Sequence, residues 1–217
     1  MHRKLNEDIN NFTIAEEIYN VITHGLGLIL SIAGLVVLVT YSTISGSLIS
    51  ILSSVLYGIT LILLYGSSTL YHAISHPRIK KWCQLCDHSS IYLLIAGSYT
   101  HITLIALGGI LGWSIFLINW SAALFGIYMK FKYQGQYEKL SLFLYLIMGW
   151  LILIAIQPLM EVMQSEGLWL LLFGGLAYTF GVIFYVKDNK PYYHAIWHLF
   201  VLAGSTFHFF MVLLYII

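Results

Sequence analysis

The run "HAIWHLFVLAGSTFHFF" places three histidines among Leu, Val and Phe, where an imidazole does nothing for an apolar helix. His194 and His198 are four residues apart, so on a helix they share one face about a turn apart. The stretch "SSTLYH" repeats the spacing with Ser68 and His72. Neutral imidazole is a common zinc ligand, and an i, i+4 pair presents two nitrogens to one ion. His72 from a facing helix would complete a three-histidine set with its fourth position open to water. Asp87 is the carboxylate suited to orient that water or take its proton, and Ser68 could hydrogen-bond the water or a substrate carbonyl. Glu17, Asn20 and His24 follow i, i+3, i+7 and form a third polar stripe. It reads equally as a second layer behind a ligand and as self-satisfied packing. His208 stands about 21 Å along the helix from His194, too far to share an ion, and reads with His101 as an interhelical hydrogen-bonding group. His76 and His88 are poorer ligand candidates than His72. No HExxH motif occurs, and Ser68 with His72 is too little for a serine hydrolase. Haem is a poor fit, because two His one turn apart cannot supply opposite axial ligands; His24 and His72 are the pair an absorption spectrum would test.

These residues must be held by elements that the composition restricts severely. Of 217 residues, 59% are apolar and 9% charged, with a mean hydropathy of +0.85. Soluble domains carry roughly 25% charged residues, so the chain is a polytopic membrane protein. Breaks at charge and turn clusters leave seven stretches of spanning length, at about 21–41, 50–72, 87–107, 111–130, 140–159, 167–186 and 192–215. The expected fold is all-α: a polar amino-terminal segment over 1–20, then a seven-helix transmembrane domain over 21–217. The first twenty residues lack the cationic start and short apolar core of a cleavable signal peptide. The short connections imply antiparallel neighbours.

Alternating seven helices puts all ten Lys and Arg on one side. The other side receives only Glu161 and Glu166 among charged loop residues. Basic loops stay cytoplasmic, which predicts an amino terminus inside and a carboxyl terminus outside. His72 then closes helix 2, Asp87 opens helix 3, and His194 and His198 begin helix 7, all at one depth. A charged group at mid-membrane costs about 2.5–3.5 kcal/mol on insertion scales, so such residues face the bundle interior and mark function. Asn119 and Gln157 read as polar contacts between helices. Cys83 and Cys86 read as two free thiols, with metal or redox chemistry of the CxxC pair a minor alternative.

Four separated motifs, "EEIYNVITHGLG", "SSTLYHAISH", "DHSSIYLLIAGSYT" and "HAIWHLFVLAGSTFHFF", resemble the hemolysin III family of bacterial membrane proteins. That family is related to the progestin and adiponectin receptors, within a wider group that includes alkaline ceramidases. The resemblance spans all seven helices in order. It implies a multi-pass protein of the bacterial plasma membrane with zinc held by His72, His194 and His198, and with Asp87 and Ser68 acting near the bound water. One departure is "GSYTH", where His101 replaces a common proline and a differently shaped end of helix 3 is expected. The function expected is zinc-dependent hydrolysis of a lipid amide or ester bond at the cytoplasmic side. The competing readings are a non-enzymatic membrane-homeostasis sensor with structural zinc and, ranked lowest, a pore-forming cytolytic protein. Membrane lipids are the expected partners, one of them the substrate; nucleic acid is not.

Overall fold

The computed structural model describes residues 12–217, and Arg3 and Lys4, with the rest of the polar segment before Phe12, lie outside them. Seven helices are long and apolar enough to cross a membrane: α1 Ile14–Ser45, α2 Leu48–Ala73, α3 Pro77–Leu107, α4 Gly109–Lys132, α5 Glu138–Val162, α6 Ser165–Val186 and α7 Tyr193–Tyr215. Consecutive helices pack side by side through α4, α6 packs on α7, and α1 against α7 closes the bundle. The loops that carry the basic residues gather at one end.

Two helices begin earlier than their apolar runs suggest. At α1 the cause is a capping box: the Glu16 backbone N–H donates to Thr13 Oγ1 at 3.3 Å, and the Thr13 N–H donates to the Glu16 carboxylate at 2.9 Å. Two of the orphan N–H groups of the first turn are thereby satisfied, and the helix starts at Ile14, not near residue 21. At α3, Pro77 takes the first helical position, where its missing N–H costs nothing. The segment "PRIKKWCQLC", expected to be a loop, is therefore helical. Asp87 does not open the helix; it lies about 15 Å inside it. Cys83 and Cys86 on this stretch are both free thiols.

Two other helices depart from regular geometry. After His101, α3 widens into a π-helix over Ile102–Leu107. Gly108 and Gly109, at φ +60° and +53°, then turn the chain into α4, a conformation that glycine adopts without a side-chain clash. Helix α5 is interrupted by a 3-10 stretch, Leu151–Ala155. Pro158 is the reason: it has no N–H to donate, and its ring crowds the carbonyl four residues earlier. Tyr99 of α3 repairs the break. Its hydroxyl donates to the Gly149 carbonyl at 2.8 Å and accepts from the Ile152 N–H at 2.9 Å. Backbone groups freed inside a membrane require such partners. Tyr99→Phe strands both groups, and the expected loss is about 1–3 kcal/mol in unfolding from mixed detergent micelles. Stability equal to the parent would show that α5 does not depend on this hydroxyl.

Candidate metal centre

Two helices bring three imidazoles together at the basic end of the bundle. One ring nitrogen from each of His72, His194 and His198 lies within 4.8 Å of the others, and all three residues are buried. No other such group of His, Cys, Asp or Glu occurs among the described residues. His72 ends α2, whereas His194 and His198 share the first turns of α7, so the cluster joins the two helices.

The hydrogen bonds select which nitrogen faces the centre. Glu17 Oε2 lies 2.6 Å from His72 Nδ1, so Nδ1 carries the proton and donates, leaving the Nε2 lone pair directed inward. Asn20 Nδ2 stands 3.3 Å from the same Nδ1. Thr23 commits its hydroxyl proton to the Tyr19 and Asn20 carbonyls, at 2.9 and 3.0 Å. Its oxygen is then free only to accept, and His198 Nδ1 sits 3.1 Å away. His198 is thereby fixed in the same tautomer as His72. Histidines that hold a metal are commonly oriented this way, with the far N–H given to a carboxylate or another oxygen. His194 has neither nitrogen hydrogen-bonded, although Asp188 Oδ2 approaches its Nδ1 at 3.8 Å.

The donor set fits zinc. Three neutral imidazoles are a recurrent catalytic-type ligand set, with Zn–N of about 2.0–2.1 Å. His72 Nε2 is buried without a hydrogen-bond partner, as are both nitrogens of His194. Asp87 and Ser68 stand outside the three-nitrogen group but line the same cavity as His194 and His198, and Ser68 Oγ is buried and unpartnered. This inner cavity, of about 100 Å³, runs from the cluster between α5 and α6 past Leu146 and Trp150 to Gly175 and His208.

The stripe on α1 divides its tasks. Glu17 and Asn20 reach His72, whereas His24 lies flat against His198, with ring centroids 3.5 Å apart and planes at 14°. His101 pairs with Ser54 Oγ at 3.0 Å and His208 points to the Leu171 carbonyl at 3.4 Å. Both lie away from the cluster.

Four participants escape sequence reasoning. Thr23 sits inside the very motif that supplied Asn20 and His24, and its β-hydroxyl was the available signal. Lys80 counts in the sequence only as a topology marker, yet its Nζ binds Glu17 Oε1 at 2.7 Å. Asp188 reads as a loop residue. Phe12 packs at a tilt against His194 and His72, with centroids 4.8 and 5.7 Å apart.

A buried histidine cluster inside a seven-helix membrane bundle defines the class. The comparisons with known proteins then narrow it. The family model described as haemolysin-III related matches residues 12–209. The chain is 47% identical to Hemolysin-3 of Bacillus cereus over 94% of its own length and 93% of that protein. It is 48% identical to a Hemolysin-3 homolog of Bacillus subtilis (strain 168), over 94% and 96% of the two chains. The human Monocyte to macrophage differentiation factor is 34% identical over 74% of this chain and 69% of that protein. The chain belongs to the hemolysin III family. It is a multi-pass protein of the cell membrane.

Because Glu17 orients His72, Glu17→Ala is expected to weaken zinc binding about ten- to hundredfold. Lys80→Met should weaken it less, in the same direction. Competition with a chromophoric chelator reads both; unchanged affinity in Glu17→Ala would reduce this carboxylate to packing.

Proposed function

We propose that the chain is an intramembrane zinc hydrolase that cleaves an amide or ester bond of a lipid. The observation that carries this reading is the continuity of the histidine cluster with a cavity whose near wall holds Asp87 and Ser68 and whose far part is largely apolar. Bound zinc supplies a Lewis acid that polarises a carbonyl and acidifies water. His72 and His198, held through Glu17 and Thr23, keep their metal-facing nitrogens in register. Asp87 accepts a proton from the attacking water and returns it to the departing amine or alcohol. Ser68, whose hydroxyl has no other partner, donates to the carbonyl oxygen of the scissile bond. The cavity between α5 and α6 receives the acyl chain, and its apolar walls keep bulk water from the reacting carbonyl.

The distribution of charge supports placing this end of the bundle in the cytoplasm. Arg78, Lys80, Lys81, Lys130, Lys132, Lys139, Lys187 and Lys190 lie at or near its loops, and the opposite end carries Glu161 and Glu166, the asymmetry that fixes orientation.

A second reading is a regulator whose zinc is structural. The tie between α1, α2 and α3 through Glu17, His72 and Lys80 favours it, because a metal would add α7 to the same knot. Purified protein is expected to hold about one zinc per chain, and His72→Ala and His194→Ala should lose it; unchanged metal in both ends the zinc assignment. Asp87→Asn separates the two readings. A hydrolase keeps its zinc but loses fatty-acid release from membrane lipid by at least about a hundredfold. A regulator retains both zinc and cellular effect.

A further inference from the structure

A second cavity, of about 410 Å³, opens at the basic end of the bundle. Its lining is mainly polar: Lys81 and Gln84 of α3, Gln134 and Gln136 of the turn before α5, Glu138, and Asp188 after α6. Two aromatic rings, His88 and Tyr185, line this cavity and also the inner one that contains Asp87 and His194. They are therefore the partition between the two spaces.

One carboxylate holds the partition. Glu138 Oε1 lies 3.2 Å from His88 Nδ1, and Glu138 Oε2 accepts from the Tyr185 hydroxyl at 3.3 Å. Lys130 Nζ donates to Oε2 at 2.6 Å. The lysine side chain is 2% exposed and the glutamate 41%, so the acidic member of the pair reaches solvent while its cation is sealed behind it. Opening the Tyr185 contact leaves Glu138 both its lysine and water. The contact also joins α5 to α6, which otherwise meet at mid-membrane where Trp150 Nε1 donates to Thr179 Oγ1 at 3.1 Å.

The approach along α1 is covered. Phe12 packs on two of the three clustered imidazoles. Close by, Glu16 accepts from the Tyr192 N–H at 3.0 Å, and Tyr19 meets Tyr192 edge to face at 5.4 Å. Among the described residues, the polar route to the cluster runs past His88 and Tyr185.

We propose that the second cavity is the aqueous port of the site and that Tyr185, latched to Glu138, is its gate. Water enters through it and, resting on the hydrolase reading, the polar fragment of the cleaved lipid leaves through it while the acyl product stays on the membrane side. Swinging the phenol aside breaks one long hydrogen bond and the ring contacts with His88, His194 and Trp197, but no ion pair. The Lys130–Glu138 pair is fixed framework.

Access is measured without relying on metal or turnover. In a Cys83→Ser, Cys86→Ser background, Ile91→Cys places a thiol in the inner cavity one turn beyond His88. Its modification by a charged, membrane-impermeant methanethiosulfonate is followed in proteoliposomes. Tyr185→Phe keeps the ring and removes the latch; labelling should rise about fivefold. Gln136→Trp fills the port and should slow labelling at least about fivefold. Equal rates in the three proteins, or no reaction in any of them, overturn the port. Zinc is assayed on the same samples: a metal-free chain defeats the metal reading, while the order of labelling rates still decides the port.

Discussion

The carboxylate of Glu17 is the group on which the histidine-bearing end of the bundle depends. One oxygen accepts from His72 Nδ1 and the other from Lys80 Nζ, so α1 fixes both the tautomer of a clustered imidazole and the start of α3. Lys80 in turn bonds the Tyr71 and Ile74 carbonyls at 3.0 and 3.3 Å, which belong to the last turn of α2 and the residue just past it. Carbonyls at a helix terminus lack intrahelical partners, and a cation there also meets the negative end of the helix dipole. The same ammonium lies over the Tyr71 ring, 4.8 Å from its centroid. A buried ion pair stabilises a fold only when its remaining polar atoms are satisfied. Here each charge has several partners, so the pair can hold three helices in register and leave His72 pointing one way.

That rigidity at one end contrasts with the seam between α5 and α6. These helices are bridged by single hydrogen bonds, Tyr185 to Glu138 and Trp150 to Thr179. Helix α5 is itself interrupted over Leu151–Ala155, ahead of Pro158, and the interruption is mended by a tyrosine from α3. A break of this kind opens space that regular helices at ordinary packing distance of about 8–10 Å would fill. The inner cavity reaches the edge of the break, where Gly149, Trp150 and Tyr99 line it.

Much of this was legible in the sequence, and the failures have physical causes. The number of spans follows from apolar length alone, because the bilayer forbids unpaired backbone. The meeting of His72 with His194 and His198 was legible from i, i+4 spacing and shared depth. Helix starts were not: hydropathy ends where charges begin, whereas helices continue until their N–H groups find a cap. Thr13 with Glu16, and Pro77, carried that signal in plain view. Lys80 was read as a topology marker because a basic residue near a loop is ordinarily solvated; only the fold brings Glu17 to it. Proline is frequent in membrane helices, so Pro158 alone does not announce the α5 break, and its partner Tyr99 is fifty-nine positions away. His101 marked an altered end of α3, where the chain does turn π-helical.

The contrast between partnered and unpartnered imidazoles separates structural from chemical use of histidine in this chain. His101 and His208 each find an oxygen on a neighbouring helix. Of the thirteen buried side-chain atoms without a hydrogen bond among the described residues, seven lie at the cluster, on Asn20, His24, Ser68, His72 and His194. Each unsatisfied buried polar group costs about 1–3 kcal/mol, and interiors seldom tolerate many in one place. Repacking with apolar side chains would relieve that cost at once, yet the surrounding shell does the opposite. Glu17 and Thr23 accept from His72 and His198, turning them so that lone pairs face the gap. Neighbours that fix tautomers leave the lone pairs of His72 and His198 converging, and such a set of nitrogens fits a metal cation.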